Sequence, residues 1–243
     1  MTTRVDFSGA EQLLRDGEFL DCRPVWYSSN YVYLATLCTG GQEFSAIYKP
    51  HSGESPLWDF PEGHLYRHEA AAYELSKLLG WDFIPPTVVR EGPQGVGSVQ
   101  VYVPHDPESH FFVQRDREEL HPQLMRICAF DAVANNADRK GGHCLLDERD
   151  HIWGIDHGLC FHPAYKLRSV IWDWAGEPIP PQWLADVETA LSLLGSEDEA
   201  ALPLRELLTG QEAAALQNRM EQLLRTGKFP EPGQARHYPW PLV

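Results

Sequence analysis

Three stretches near the start of the chain concentrate Tyr, Val, Ile and Phe between polar turn residues: Phe19 to Tyr27, Tyr31 to Cys38 and Glu43 to Tyr48. This pattern predicts three strands, with Tyr27-Ser28-Ser29-Asn30 turning the first into the second and Thr39-Gly40-Gly41 forming the next hairpin. The third strand ends at Lys49-Pro50, and a Pro- and Gly-containing connection runs from His51 to Gly63. From Leu65 to Leu79 the period changes: Ala70, Ala71, Tyr73, Leu75, Leu78 and Leu79 follow helical spacing and stop at Gly80. Pro85 to Val89 and Val96 to Val103 then read as two short strands around Glu91-Gly92-Pro93-Gln94-Gly95.

The second half is patterned for helices. Pro122 to Asn135 places Leu124, Ile127, Cys128, Phe130, Ala132 and Val133 on a helix, and Gln182 to Leu194, Glu199 to Leu208 and Gln211 to Thr226 are three more. Cys144 to Leu146 and His151 to Ile155 predict a short hairpin, and the Pro- and aromatic-rich tail from Phe229 to Val243 an extended strap. Strands, helix, strands, then mostly helix predicts an α+β chain of two lobes: a small β-rich N-lobe over residues 1–103 and a mainly helical C-lobe over 104–243. Pro104-His105-Asp106-Pro107 falls at the hinge between them.

Composition narrows the function class. Hydrophobic residues at 43% and aromatics at 11% describe a folded globular chain. A net charge of -15 argues against a nucleic-acid surface, which needs a basic stripe. No apolar run approaches the ~20 residues that span a bilayer, and Met1 to Leu20 lacks the apolar core of a signal peptide, so a cytoplasmic protein is expected. Five cysteines without a C-x-x-C pair read as reduced thiols rather than a disulfide framework or zinc site.

The chemistry concentrates in Asn135-Asn136-Ala137-Asp138-Arg139-Lys140-Gly141-Gly142-His143 and Ile155-Asp156-His157-Gly158. An Asp, a metal-ligand candidate five residues on and a second Asp thirteen further reproduce the spacing of a phosphotransferase centre, D-x-x-x-x-N followed by D-F-G. Asp138 is then the carboxylate that orients an acceptor hydroxyl, and Asp156 a hard oxygen ligand for Mg²⁺ or Mn²⁺. His143 stands where Asn is usual. It implies an altered metal preference, one metal instead of two, or a His on phosphate, and its bland alternative is a buried His bonded to backbone. Lys49 is the candidate clamp on nucleotide phosphates and Glu69 its partner, with Glu54, Glu62 and Glu74 as competitors. Arg139 and Lys140 either support the catalytic loop or neutralise phosphate, and Asn136 positions the loop. Ser28 and Ser29 replace the glycines of a phosphate loop, which makes them phosphate contacts and candidate autophosphorylation sites. A zinc hydrolase built from His143, His151, His157 and His162 is disfavoured, because no H-E-x-x-H helix is present, and no G-x-S-x-G elbow appears either.

These residues, with Asp59-Phe60-Pro61, Pro85-Pro86-Thr87 and Trp172-Asp173-Trp174-Ala175-Gly176, resemble an actinobacterial phosphatidylinositol 3-/4-kinase-like family over most of the chain. The Asp138-Arg139-Lys140 run is similar to the Asp-Arg-His of lipid kinases and of bacterial toxin kinases with this fold. The resemblance implies a protein-kinase-like or phosphatidylinositol-kinase-like fold, with Asp138 catalytic, Asp156 on metal and Lys49 on nucleotide. The expected cofactors are ATP, with GTP open, and Mg²⁺ or Mn²⁺. The expected acceptor is a hydroxyl of protein Ser/Thr or of a small molecule, with a lipid hydroxyl a further alternative. AMP transfer in the same site and a non-catalytic pseudokinase are the rival expectations.

Overall fold

In this computed structural model, the structure describes residues 9–25, 31–55, 57, 60, 64–233 and 236–243. Ser28, Ser29, Asp59, Pro61 and Glu62 lie outside the described residues.

A short helix α1 (Ala10–Asp16) leads into strands β1 (Glu18–Val25), β2 (Val32–Thr39) and β3 (Gln42–Pro50). Helix α2 (Leu65–Leu79) follows, then β4 (Thr87–Gly92) and β5 (Gly95–Val101). The five strands form one antiparallel sheet in the order β1-β2-β3-β5-β4. Its inner face buries Ala35, Leu37, Ala46, Tyr48, Val88 and Val99 together with Leu14 of α1. The register opposite β5 pairs Lys49 with Ser98 and Pro50 with Gly97, which fixes where the lysine leaves the sheet.

α2 is an alanine-rich helix with Ala70, Ala71, Ala72, Leu75 and Leu79 buried. Gly80 ends it in the left-handed region (φ 66°), where its N–H reaches back to the Lys77 and Ser76 carbonyls. Because the helix is buried on this face, Glu69 is carried inward with it, 3% exposed.

The rest is mostly helical: α3 (Phe111–Gln114), α4 (His121–Ala134), α5 (Pro181–Leu194), α6 (Leu202–Leu207) and α7 (Gly210–Thr226), with a small hairpin of β6 (Cys144–Leu146) and β7 (Ile152–Gly154). One large core joins α2, α4, α5 and α7 through Leu75, Ile127, Phe130, Val187 and Met220. The tail contacts Ser169 and Gly141 through the His237 and Leu242 carbonyls. No helix among the described residues is long and apolar enough to cross a membrane.

Several boundaries differ from the sequence reading for identifiable reasons. Pro85 and Pro86 have no N–H to give a ladder, so β4 begins at Thr87. The single helix expected over Glu199 to Leu208 is a 3-10 turn, Glu199–Ala201, followed by α6, because Pro203 is accepted only in the first turn of a helix. The short α1 and α3 were not expected at all.

Gly97 approaches β3 so closely that an added Cβ would stand 2.5 Å from the Lys49 carbonyl oxygen and 2.7 Å from Pro50 Cα. Both are backbone and cannot step aside. Gly97→Ala is expected to destabilise the fold by about 1–3 kcal/mol, the usual cost of overpacking. Urea unfolding checks this, and an unchanged midpoint would show that β3 and β5 are not held at this spacing.

Candidate active site

Three charged side chains from three separate elements converge at the mouth of the site. Lys49 at the end of β3 points its ammonium between Glu69 of α2, at 2.5 Å from Oε1, and Asp156, at 2.9 Å from Oδ1. The other Glu69 oxygen accepts the His157 backbone N–H at 3.1 Å, so one glutamate ties both the lysine and the turn that bears Asp156. Of the three described glutamates among the four considered from sequence, Glu69 is the one in contact with Lys49, and Glu62 lies outside the described residues. Burial alone would lower the Lys49 pKa, but Asp156 and Glu69 outweigh it and hold the ammonium protonated. The same contact works in reverse on Asp156. Burial raises its pKa, Lys49 and His143 pull it down further, and the carboxylate stays ionised well below the usual range.

Asp156 sits in the left-handed region at φ 60°, an uncommon backbone state for a residue with a side chain. Its side chain remains 45% exposed, open to a ligand from solvent. His143, at the end of a 3-10 turn formed by Gly141–His143, places Nε2 at 3.2 Å from Asp156 Oδ2. Burial, only partly offset by Asp156, lowers the His143 pKa to about 4, so the ring is neutral at physiological pH. Its Nδ1 accepts the Lys140 N–H at 3.3 Å, which leaves the ring proton on Nε2, the nitrogen nearer Asp156.

The donor set fits a divalent cation. Two ligands at right angles on a Mg²⁺-sized ion, each at roughly 2.1 Å, stand about 3 Å apart, close to the Asp156–His143 separation. The carboxylate suits Mg²⁺ or Mn²⁺, and the imidazole moves the preference toward Mn²⁺ or a softer ion. A cation on Nε2 would displace the ring proton to Nδ1 and deprive the Lys140 N–H of its acceptor.

Asp138 faces the same cleft. α4 ends at Asn135, which adopts φ 57° and clips the following segment by donating to the His162 and Ala164 carbonyls and accepting the Lys166 N–H, each at 2.8 Å. Asn136 then accepts the Asp138 N–H at 3.0 Å, so it does position the loop. Asp138 Oδ2 lies 3.2 Å from Lys140 Nζ. Burial raises its pKa, with Lys140 opposing and Asp156 adding to the rise.

Arg139 departs from the expectation of a phosphate contact. It is fully buried, and its guanidinium grips Asp131 of α4 through Nε to Oδ2 at 2.8 Å and Nη2 to Oδ1 at 2.9 Å. Nη1 donates to the His143 and Ile155 carbonyls, and Nη2 to His157 Nε2 at 2.8 Å. Each of these partners belongs to the fold, so Arg139 braces the loops that carry Asp138 and Asp156 from behind while Lys140 stays on the cleft side. Asp131 was missed in the sequence. Its one signal was an acid on a helix whose neighbours Ile127, Cys128 and Phe130 are all apolar.

A cavity of about 490 Å³ opens between the 102–106 connection and the β6–β7 hairpin, with Tyr102, Val103, His105, Leu146 and Trp153 in its wall and none of the cluster's charged residues lining it. Ser28 and Ser29, expected on phosphate, lie outside the described residues.

Sequence comparison finds protein Rv2133c of Mycobacterium tuberculosis (strain ATCC 25618 / H37Rv), 36% identical over an alignment covering 99% of this chain and 97% of that one. The chain belongs to the family of Rv2133c. No family model matches it. Among solved structures, hydra Fam20 with sugar superimposes with a TM-score of 0.56 at 13% identity, over 93% of this chain and 89% of that one. The Helicobacter pylori proinflammatory kinase CtkA gives 0.48 at 11% identity, over 89% and 94%. With the antiparallel sheet first and the helices after it, the fold is the α+β, two-lobed kinase-like fold expected from the sequence.

Removing Asp131 leaves the Arg139 charge buried without its counter-ion, a loss of about 3–5 kcal/mol for a pair of this kind. Asp131→Ala is therefore expected to lower the denaturation midpoint far more than removal of the partly exposed Lys140. Equal effects would contradict the bracing role.

Proposed function

We propose that the protein is an atypical kinase that transfers the γ-phosphoryl group of ATP, or of GTP, to a hydroxyl, with a protein Ser or Thr as the preferred acceptor. The observation that carries this reading is the meeting of Lys49, Glu69 and Asp156 in one contact group, with Asp138 in the same cleft. Phosphoryl transfer asks for positioning and charge, and little covalent work from the protein. Lys49 supplies the fixed cation for nucleotide phosphates, and Glu69 keeps it aimed. Asp138 orients the acceptor hydroxyl and takes its proton late in the transfer. A divalent metal held by Asp156, with His143 beside it, would neutralise charge on the phosphates. The cavity beneath the 102–106 connection is of a size for a nucleotide base, with apolar walls from Val103, Leu146 and Trp153.

The acceptor is not inherited from the phosphatidylinositol-kinase-like resemblance, because fold-level likeness does not fix a substrate. The net charge of -15 also offers little to an anionic membrane.

The test is intact-mass and peptide mass spectrometry after incubation with ATP or GTP and Mg²⁺ or Mn²⁺, beside Asp138→Asn and Lys49→Met. The expected result is phosphate gained by the wild type, on the Ser28/Ser29 loop among other sites, and a rate lowered about 10²–10⁴-fold in Asp138→Asn. Gain of AMP with release of pyrophosphate would reassign the chemistry to nucleotidyl transfer. No gain with either nucleotide and either metal would overturn the reading.

A further inference from the structure

His64, at the entry to α2, and His68 within it are one turn apart, and this spacing brings both rings to one side of the helix. The rings meet edge to face with centroids 6.4 Å apart. Glu212 of α7 supplies a third donor, and one ligand-type atom from each of the three lies within 4.8 Å of the others. None of the three takes part in the chemistry described above.

The hydrogen bonds around His68 create a demand for a cation. His68 Nδ1 is 3.0 Å from the Gly158 carbonyl. A carbonyl only accepts, so Nδ1 carries the proton, and in a neutral ring Nε2 presents its lone pair. That lone pair faces Glu212 Oε1 at 2.9 Å. The other Glu212 oxygen already accepts the Thr209 N–H and hydroxyl, each at 2.8 Å, which leaves Oε1 for the His68 side. Two acceptors at this distance need a positive charge between them, either a second proton on the imidazole or a metal ion. A proton satisfies His68 and Glu212 but gives no part to His64, whose ring has no hydrogen-bond partner among the described residues. A metal engages all three.

The geometry points to a transition-metal site, best matched to Zn²⁺, formed by His64, His68 Nε2 and Glu212 Oε1. Two imidazoles and a carboxylate are a donor set zinc accepts, with a fourth position for water. The Gly158 carbonyl supplies the usual support for such a ligand, fixing the tautomer and orientation of the ring through its second nitrogen. The site joins α2 and α7 to the turn that follows Asp156. Glu69 is the next residue after His68, so the ion acts as a positioning element: it fastens the helix bearing the lysine's partner to the turn bearing Asp156. This inference stands whether or not the protein transfers phosphate.

The test is metal analysis of protein purified without a histidine tag, stripped with chelator and retitrated with Zn²⁺. The expected result is one tightly bound equivalent that persists in Asp156→Ala, a Tm raised by about 5 °C or more at saturation, and intense visible absorption of a four-coordinate ion when Co²⁺ replaces Zn²⁺. His64→Ala removes a half-buried ring with no hydrogen bond to another described residue. It should stay folded yet lose the bound equivalent and the Co²⁺ signature, while Asp156→Ala should keep both. No bound metal and no change in Tm would mean that the cation is a proton. Retention by His64→Ala with loss in Asp156→Ala would move the ion to the cleft carboxylate. Either result overturns the site.

Discussion

The Lys49 ammonium held between Glu69 and Asp156 is the contact on which the arrangement of the cleft depends. A largely buried cation is tolerated only with well-placed counter-charges, and here the two come from different parts of the chain. The sheet contributes the lysine, α2 the glutamate and the turn after β7 the aspartate. Moving any one element away leaves a charge without its partner. The glutamate also receives the His157 N–H, so the same residue governs both the lysine and the backbone of the turn.

Behind this triad stands a second, fully enclosed ion pair. Asp138, Arg139 and Lys140 are consecutive, and at this point the chain is extended, with Arg139 bridging to Ser169. Side chains of an extended segment alternate in direction. Asp138 and Lys140 therefore face the cleft and meet each other, while Arg139 turns into the core toward Asp131. One tripeptide thus serves two purposes. Two of its charges are available to a reaction, and the third fixes the loop to α4, to His157 and to the His143 and Ile155 carbonyls.

Much of the layout was legible in the sequence because the signals are local. The strands around Thr39-Gly40-Gly41, the α2 helix with its Gly80 stop and the spacing of Asp138, His143 and Asp156 each depend on a few neighbouring residues. Lys49 was legible from its place at a strand end, but its partner stayed open among Glu54, Glu62, Glu69 and Glu74, because the connection between strand and helix leaves the facing turn of the helix undetermined. What escaped detection depends on distant partners. The inward turn of Arg139 is decided by Asp131, an acid on an otherwise apolar helix, and the sequence offers no direct sign that it carries a counter-charge. Glu212 reaches His68 only because α7 packs back toward α2, a contact across 144 residues that periodicity cannot announce. The separation of β4 from its two prolines and the break before α6 follow from Pro86 and Pro203, which have no N–H to give to a ladder or a helix interior.

In the proposed function, the Lys49–Glu69–Asp156 group is a nucleotide-phosphate site. Calorimetric titration with Mg²⁺- or Mn²⁺-loaded ATP, comparing the wild type with Glu69→Gln, tests it without requiring turnover. Saturable binding by the wild type is expected, weakened at least about tenfold in the variant, since the lysine loses the charge that aims it. Equal affinity in both proteins, or no heat of binding in either, would contradict it.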